Sequence, residues 1–218
     1  MPSLAKIFKW ACVNRDSVTF FRKIFSATEM SRNQIDAGHF LAQMKRFETD
    51  EDIFKLYGDR LLAQALTFVV AGHTAISTIF AFTLHELAIN VHMQERLREE
   101  IVGNMNHFGD TTFESLQCMP YMHMLLQETL RKYPFTPFIH RECSKDYVFS
   151  ETGLKIDKGT GIIIPQHALF WDRNHFPNPE VYDPERFSIE NKHKINHSVY
   201  VPFGDGPRNC VGRSVALG

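Results

Sequence analysis

The chain has 218 residues with a formal net charge of −1, a balance that gives no reason to expect nucleic acid or another strongly charged partner. Its 44% hydrophobic and 22% charged residues are the composition of a soluble globular protein, and the length suits one ordinary domain. The start, Met1 to Lys6, lacks the long apolar core of a signal peptide, and no uncharged run reaches about 18 apolar residues, so no transmembrane helix is expected. The cysteines at 12, 118, 143 and 210 form no Cys-x-x-Cys pair and read as reduced thiols facing the cytosol. The 19 phenylalanines suit a large apolar pocket and a plain core equally well.

In chain order, residues 20–25 and 40–44 read as pieces of two short helices. Residues 59–86 form a long pattern without proline, rich in Leu, Ala, Phe, Val and Ile, which predicts a helix about 42 Å long. Its middle is apolar all round, as in a helix buried through a core. His85 and Glu86 mark its return to solvent. Asn90 caps a following charged helix that ends near Gly103. A further helix runs from Tyr121 to Tyr133, with Pro120 at its start. Composition changes there: helical periodicity dominates 1–133, while prolines, glycines and short apolar runs fill 134–218. Residues 147–149 and 161–165 read as strands with a turn at 157–159 between them, and Pro134 and Pro137 exclude helix from 135–139. None of the eleven histidines falls in a zinc-like arrangement with a third ligand; they are structural or solvent-facing.

The densest chemistry lies near the end, in Phe203, Gly204, Asp205, Gly206, Pro207, Arg208, Asn209, Cys210, Val211 and Gly212. Glycine permits tight or closely approaching backbone, Pro207 stiffens the turn, and Arg208 sets a permanent charge two residues before the sulfur. A thiol beside a cation and free N–H groups suits an anionic metal ligand; a buried inert thiol is the plain alternative for a single cysteine. Upstream, Glu128 and Arg131 share one helix face at i, i+3. Alone, such a pair is a common surface ion pair. Within the long helix, Ala71, Gly72, His73, Thr74, Ala75 and Ile76 form a stretch of small residues that equally suits a helix crossing point.

Phe-x-x-Gly-x-Arg-x-Cys-x-Gly resembles the haem loop of the cytochrome P-450 family, and the resemblance covers nearly the whole chain but only the carboxy-terminal half of a family member. It implies a mainly α fold with small β-sheets, a single incomplete domain over 1–218. Cys210 becomes the axial ligand of haem b, with Phe203, Arg208, Gly212 and Arg141 in the cofactor site and the two arginines on the propionates. Glu128, Arg131 and Arg186 become a buried structural triad. Gly72 leaves room for dioxygen, and Phe68, Phe135, Thr136 and Phe138 become substrate contacts. Where the family has an acid followed by threonine for proton delivery, this chain has Thr74 and Ala75, leaving Thr78 or a water as a substitute.

Microsomal insect detoxification members are the most similar in residues 141–147 and 176–180. This implies a lipophilic substrate, electrons from NADPH through a flavoprotein reductase, and the cytosolic face of the endoplasmic reticulum membrane, the anchor being absent from this chain. Three functions compete: a monooxygenase, a haem-thiolate enzyme that rearranges peroxides, and a non-catalytic remnant.

Overall fold

The computed structural model describes residues 16, 19–23, 59–213 and 216. The expected helix at 40–44, the end of the one at 20–25, and Cys12 lie outside the described residues. Contacts divide the chain into two units, Met1–His73 and Thr74–Gly218. In the first, residues 19–23 are helical, and Phe20 and Phe21 meet edge to face at 5.5 Å.

Helix α1, Asp59–Ile89, runs three residues beyond its expected end. Its burial is opposite to expectation: Val69, Val70, Ile76, Phe80 and Leu84 are exposed, and the buried residues are Thr83, Glu86 and Leu87. Contacts with the rest of Thr74–Gly218 are made in its last two turns, through Phe82, Thr83, Glu86 and Leu87. The stretch Leu66–Ile89 is also long and apolar enough to cross a membrane, which corrects the expectation of no such helix. His73, Thr74, Ser77 and Thr83 interrupt the apolar run without lowering its average enough to exclude it. Glu86 nevertheless fixes the end of α1 in protein, because its carboxylate takes Lys132 Nζ at 2.8 Å.

Helix α2, Val91–Phe108, passes the expected stop at Gly103. A single interior glycine costs only about 1 kcal/mol, whereas Gly109, at φ 75°, supplies the left-handed C-cap and donates its N–H to Met105 O at 2.8 Å. Asn90 precedes α2 without capping it; its side chain donates back to Glu86 O at 2.9 Å. A short α3, Phe113–Gln117, opens on a Thr112–Ser115 capping box.

Helix α4, Pro120–Lys132, is the centre of the unit. Glu100 of α2 caps it, accepting from Tyr121 N at 2.7 Å and Met122 N at 2.9 Å, where a carboxylate also complements the helix dipole. Leu87, Tyr121, Leu125 and Tyr182 form one core cluster; Phe170, Phe176 and Ile195 form a second.

The strand half has more pairing than expected. β1, Ile139–Glu142, pairs antiparallel with β4, Gly161–Ile164, placing Ile139 opposite Ile164. β2, Tyr147–Val148, pairs with β3, Lys155–Ile156. The turn at 157–159 therefore joins β3 to β4. Helix α5, Gln166–Phe170, leads into an irregular segment with 3-10 turns at Pro184–Phe187, Lys192–Lys194 and Gly206–Arg208.

This exposed apolar surface sets a first expected result. Expressed alone, the 218-residue chain should associate, because contiguous apolar patches on this scale drive aggregation. Light scattering after size exclusion checks this; a soluble monomer with sharp thermal unfolding would contradict it.

Candidate functional site

Arg131 and Glu128 are both fully buried on α4. Arg131 grips the carboxylate side-on, Nε to Oε2 at 2.7 Å and Nη2 to Oε1 at 2.8 Å. Its remaining donors reach Phe170 O at 3.0 Å and Pro179 O at 2.8 Å, so one guanidinium ties α4 to the end of α5 and to the irregular segment. Asp183 N donates to Glu128 Oε1 at 3.0 Å. Arg186 Nε lies 3.5 Å from that oxygen as an ion pair, too long and too poorly aligned to count as a hydrogen bond, while its Nη2 donates to Asn178 O at 2.9 Å. Burial pushes the Glu128 carboxyl up from its ordinary range, opposed by the hydrogen bonds and charge of Arg131, the Asp183 amide and the charge of Arg186.

A second cluster was not expected. Glu86, read from sequence as returning to solvent, is 1% exposed. It accepts from Lys132 Nζ at 2.8 Å and Tyr133 Oη at 2.5 Å. Nearby, the Thr129 hydroxyl lies 3.0 Å from that of Thr83 and 2.9 Å from that of Tyr182.

The cysteine loop turns through left-handed backbone at Gly204, φ 72°, and Gly206, φ 74°, conformations that L side chains avoid. Asp205 caps the 3-10 turn Gly206–Arg208, and Cys210 N closes the loop on Phe203 O at 2.8 Å. The Cys210 side chain is left exposed, with its thiol free. Arg141, on β1, donates from Nη2 to Arg208 O at 3.4 Å, which brings β1 onto the loop. The chemistry of the residues present fits haem: one accessible sulfur, on a loop that carries Arg208 and is touched by Arg141. A half-open cleft of about 670 Å³ borders the loop at Phe203, Gly204 and Asp205 and also takes in His123 and Gln127 of α4. Cys210 does not line it, so this cleft is separate from the thiol face.

The other residues singled out lie on α1 and in the segment after α4. Phe68 and Gly72 lie in Met1–His73, and a Cβ on Gly72 would meet nothing within 4 Å. Thr74 is exposed and its carbonyl accepts from Ser77 Oγ at 3.3 Å; Thr78 is half-buried. Phe135 and Phe138 are exposed, and Thr136 donates to Gln166 Oε1 at 3.2 Å. Among the described residues, no group of three or more His, Cys, Asp or Glu side chains is placed to hold a metal ion.

A mainly helical fold with two small antiparallel sheets, a buried Glu-x-x-Arg lock and a glycine-turned loop presenting one thiol defines a narrow class of protein. The chain belongs to the cytochrome P450 family, whose model matches residues 3–217. Cytochrome P450 6k1 of Blattella germanica is 36% identical over 234 residues, 97% of this chain and 45% of that protein. Cytochrome P450 3A16 of Mus musculus is 37% identical over 210 residues, 93% and 41% respectively. Cytochrome P450 6j1 of Blattella germanica is 39% identical over 193 residues, 88% and 38%. The chain thus spans less than half the length of these relatives.

Proposed function

We propose that this chain is part of a haem-thiolate monooxygenase that inserts one oxygen atom of dioxygen into a lipophilic molecule. The observation that carries the reading is the exposed Cys210 thiol on a glycine-turned loop against which β1 lays Arg141. In this reading Cys210 holds haem iron as thiolate, while Arg141 and Arg208 bind the haem carboxylates, for which a planar guanidinium is suited. Phe203 closes the loop through its carbonyl, and a side chain at Gly212 would sit 3.8 Å from the sulfur. When bound, haem supplies the redox chemistry of dioxygen, which a thiolate ligand biases toward O–O cleavage.

The chain's own contributions are shape, dryness and proton supply. Phe135, Thr136 and Phe138 are the proposed lipophilic contacts, and the hydroxyls of Thr74 and Thr78 hold protons. Electrons come from NADPH through a flavoprotein reductase, on the cytosolic face of the endoplasmic reticulum. The test is the ferrous carbon-monoxide spectrum of the full-length protein, which should show the red-shifted Soret band of a thiolate ligand. A band at the position given by a neutral ligand would refute the reading.

Ala75 favours a second reading, rearrangement of a peroxide, which needs no proton relay. Turnover of a lipid hydroperoxide without reductase, and none of a lipophilic substrate with it, would select that reading. Under the first reading the parent should waste electrons as hydrogen peroxide, because Ala75 has no hydroxyl. Thr74→Glu with Ala75→Thr should then raise the product formed per reduced nicotinamide consumed, since a positioned acid–hydroxyl pair speeds proton transfer. Equal coupling in both proteins would show that Thr78 or a water already does this work.

A further inference from the structure

Residues 134–138 leave α4 as a short strap tied at both ends. At the far end, His167 N donates to Pro137 O at 2.9 Å, and Thr136 donates to Gln166. Gln166 is itself buried and held on Val201 O at 2.8 Å. At the near end the tie is Tyr133. Its ring stacks on Phe82 of α1 with centroids 4.2 Å apart and planes 5° from parallel. Its hydroxyl donates to the buried Glu86 carboxylate at 2.5 Å, a charge-assisted bond of the stronger kind. Pro134 follows directly and fixes its own φ, so the seat of the Tyr133 ring sets the direction in which the strap departs. Phe135, between the two ties, and Phe138, directly after the second, stand 44% and 54% exposed. Polar anchors flanking one outward phenyl ring, with a second just beyond, make a poor core segment and a good adjustable wall.

We propose that Tyr133, seated between Phe82 and Glu86, is a positioning residue that sets where Phe135 and Phe138 stand and so which lipophilic ligands fit. The inference rests on the haem-thiolate reading above. Burial and the Glu86 carboxylate both push the Tyr133 phenol up, so it remains a donor at neutral pH.

The experiment is spectral titration of the haem-loaded full-length protein with imidazole and with 4-phenylimidazole. Both bind iron through a ring nitrogen, but only the second carries a phenyl group that reaches the wall, so their affinity ratio isolates the strap from the cofactor. Tyr133→Phe should weaken 4-phenylimidazole about tenfold relative to imidazole while the carbon-monoxide band is unchanged. Phe82→Leu, which removes the stacking support, should move the ratio the same way. Thr83→Ala deletes the 3.0 Å hydroxyl contact with Thr129 at the same helix junction, lowering stability but leaving the ratio at the parent value. An unchanged ratio in Tyr133→Phe, or an equal change in Thr83→Ala, overturns the inference while the haem reading stands. A parent protein without the thiolate band overturns the haem reading, and this inference with it.

Discussion

Cys210→Ser in the full-length protein is expected to abolish the red-shifted Soret band of the ferrous carbon-monoxide complex. The shift requires a thiolate donor, and the serine hydroxyl, similar in shape, is a far weaker ligand for iron. The substitution should spare the fold. The side chain is exposed, and the loop is held by its backbone, through Cys210 N to Phe203 O at 2.8 Å and the Asp205 cap. Thermal unfolding of the apoprotein should therefore match the parent while the spectrum changes completely. A persistent thiolate band would move the ligand to Cys12, Cys118 or Cys143 and remove the basis of the proposed function.

The family was legible because its loop concentrates three glycines, a proline, an arginine and a cysteine in ten residues, where local backbone needs leave a dense trace. Helices α1 and α4 were legible for the usual reason, long stretches without proline carrying a regular apolar pattern. What escaped were effects that depend on distant partners. Glu86 looked like a surface residue at a helix end because the groups that bury it are 46 and 47 residues away. The cap of α4 by Glu100 comes from another helix, 21 residues upstream. Gly103 and Gly109 are equivalent as letters; the left-handed backbone at 109 makes only that one the stop. β1 and β3 were missed because two- and four-residue strands carry almost no alternation, and β1 finds its partner 19 or more residues on. The apolar middle of α1 was correctly read as hydrophobic, but hydrophobicity does not say what covers it.

Arg131→Ala should destabilise the protein by about 3–5 kcal/mol, the usual result of leaving a buried charge without its partner. The substitution removes two hydrogen bonds to Glu128 and the three that hold Phe170 O, Pro179 O and, at 3.4 Å, Val181 O. Glu128 would then keep only the Asp183 amide at 3.0 Å and the longer ion pair with Arg186 at 3.5 Å. Glu128→Ala should cost a similar amount from the opposite sign, since it strands the Arg131 guanidinium without its carboxylate. Arg131→Lys should rescue little, because an ammonium cannot reproduce a fork that meets a carboxylate and two carbonyls at once. Arg186→Ala should cost less, about 1 kcal/mol, because its Nε makes no hydrogen bond and its side chain is partly open to water. Denaturant midpoints and haem retention in the full-length protein read out this order. The lock tethers α5 and the irregular segment that leads into the cysteine loop, so haem loss should track stability through the series. An Arg131→Ala or Glu128→Ala protein that folds, retains haem and loses only turnover would show that the pair acts in chemistry and not in holding the fold.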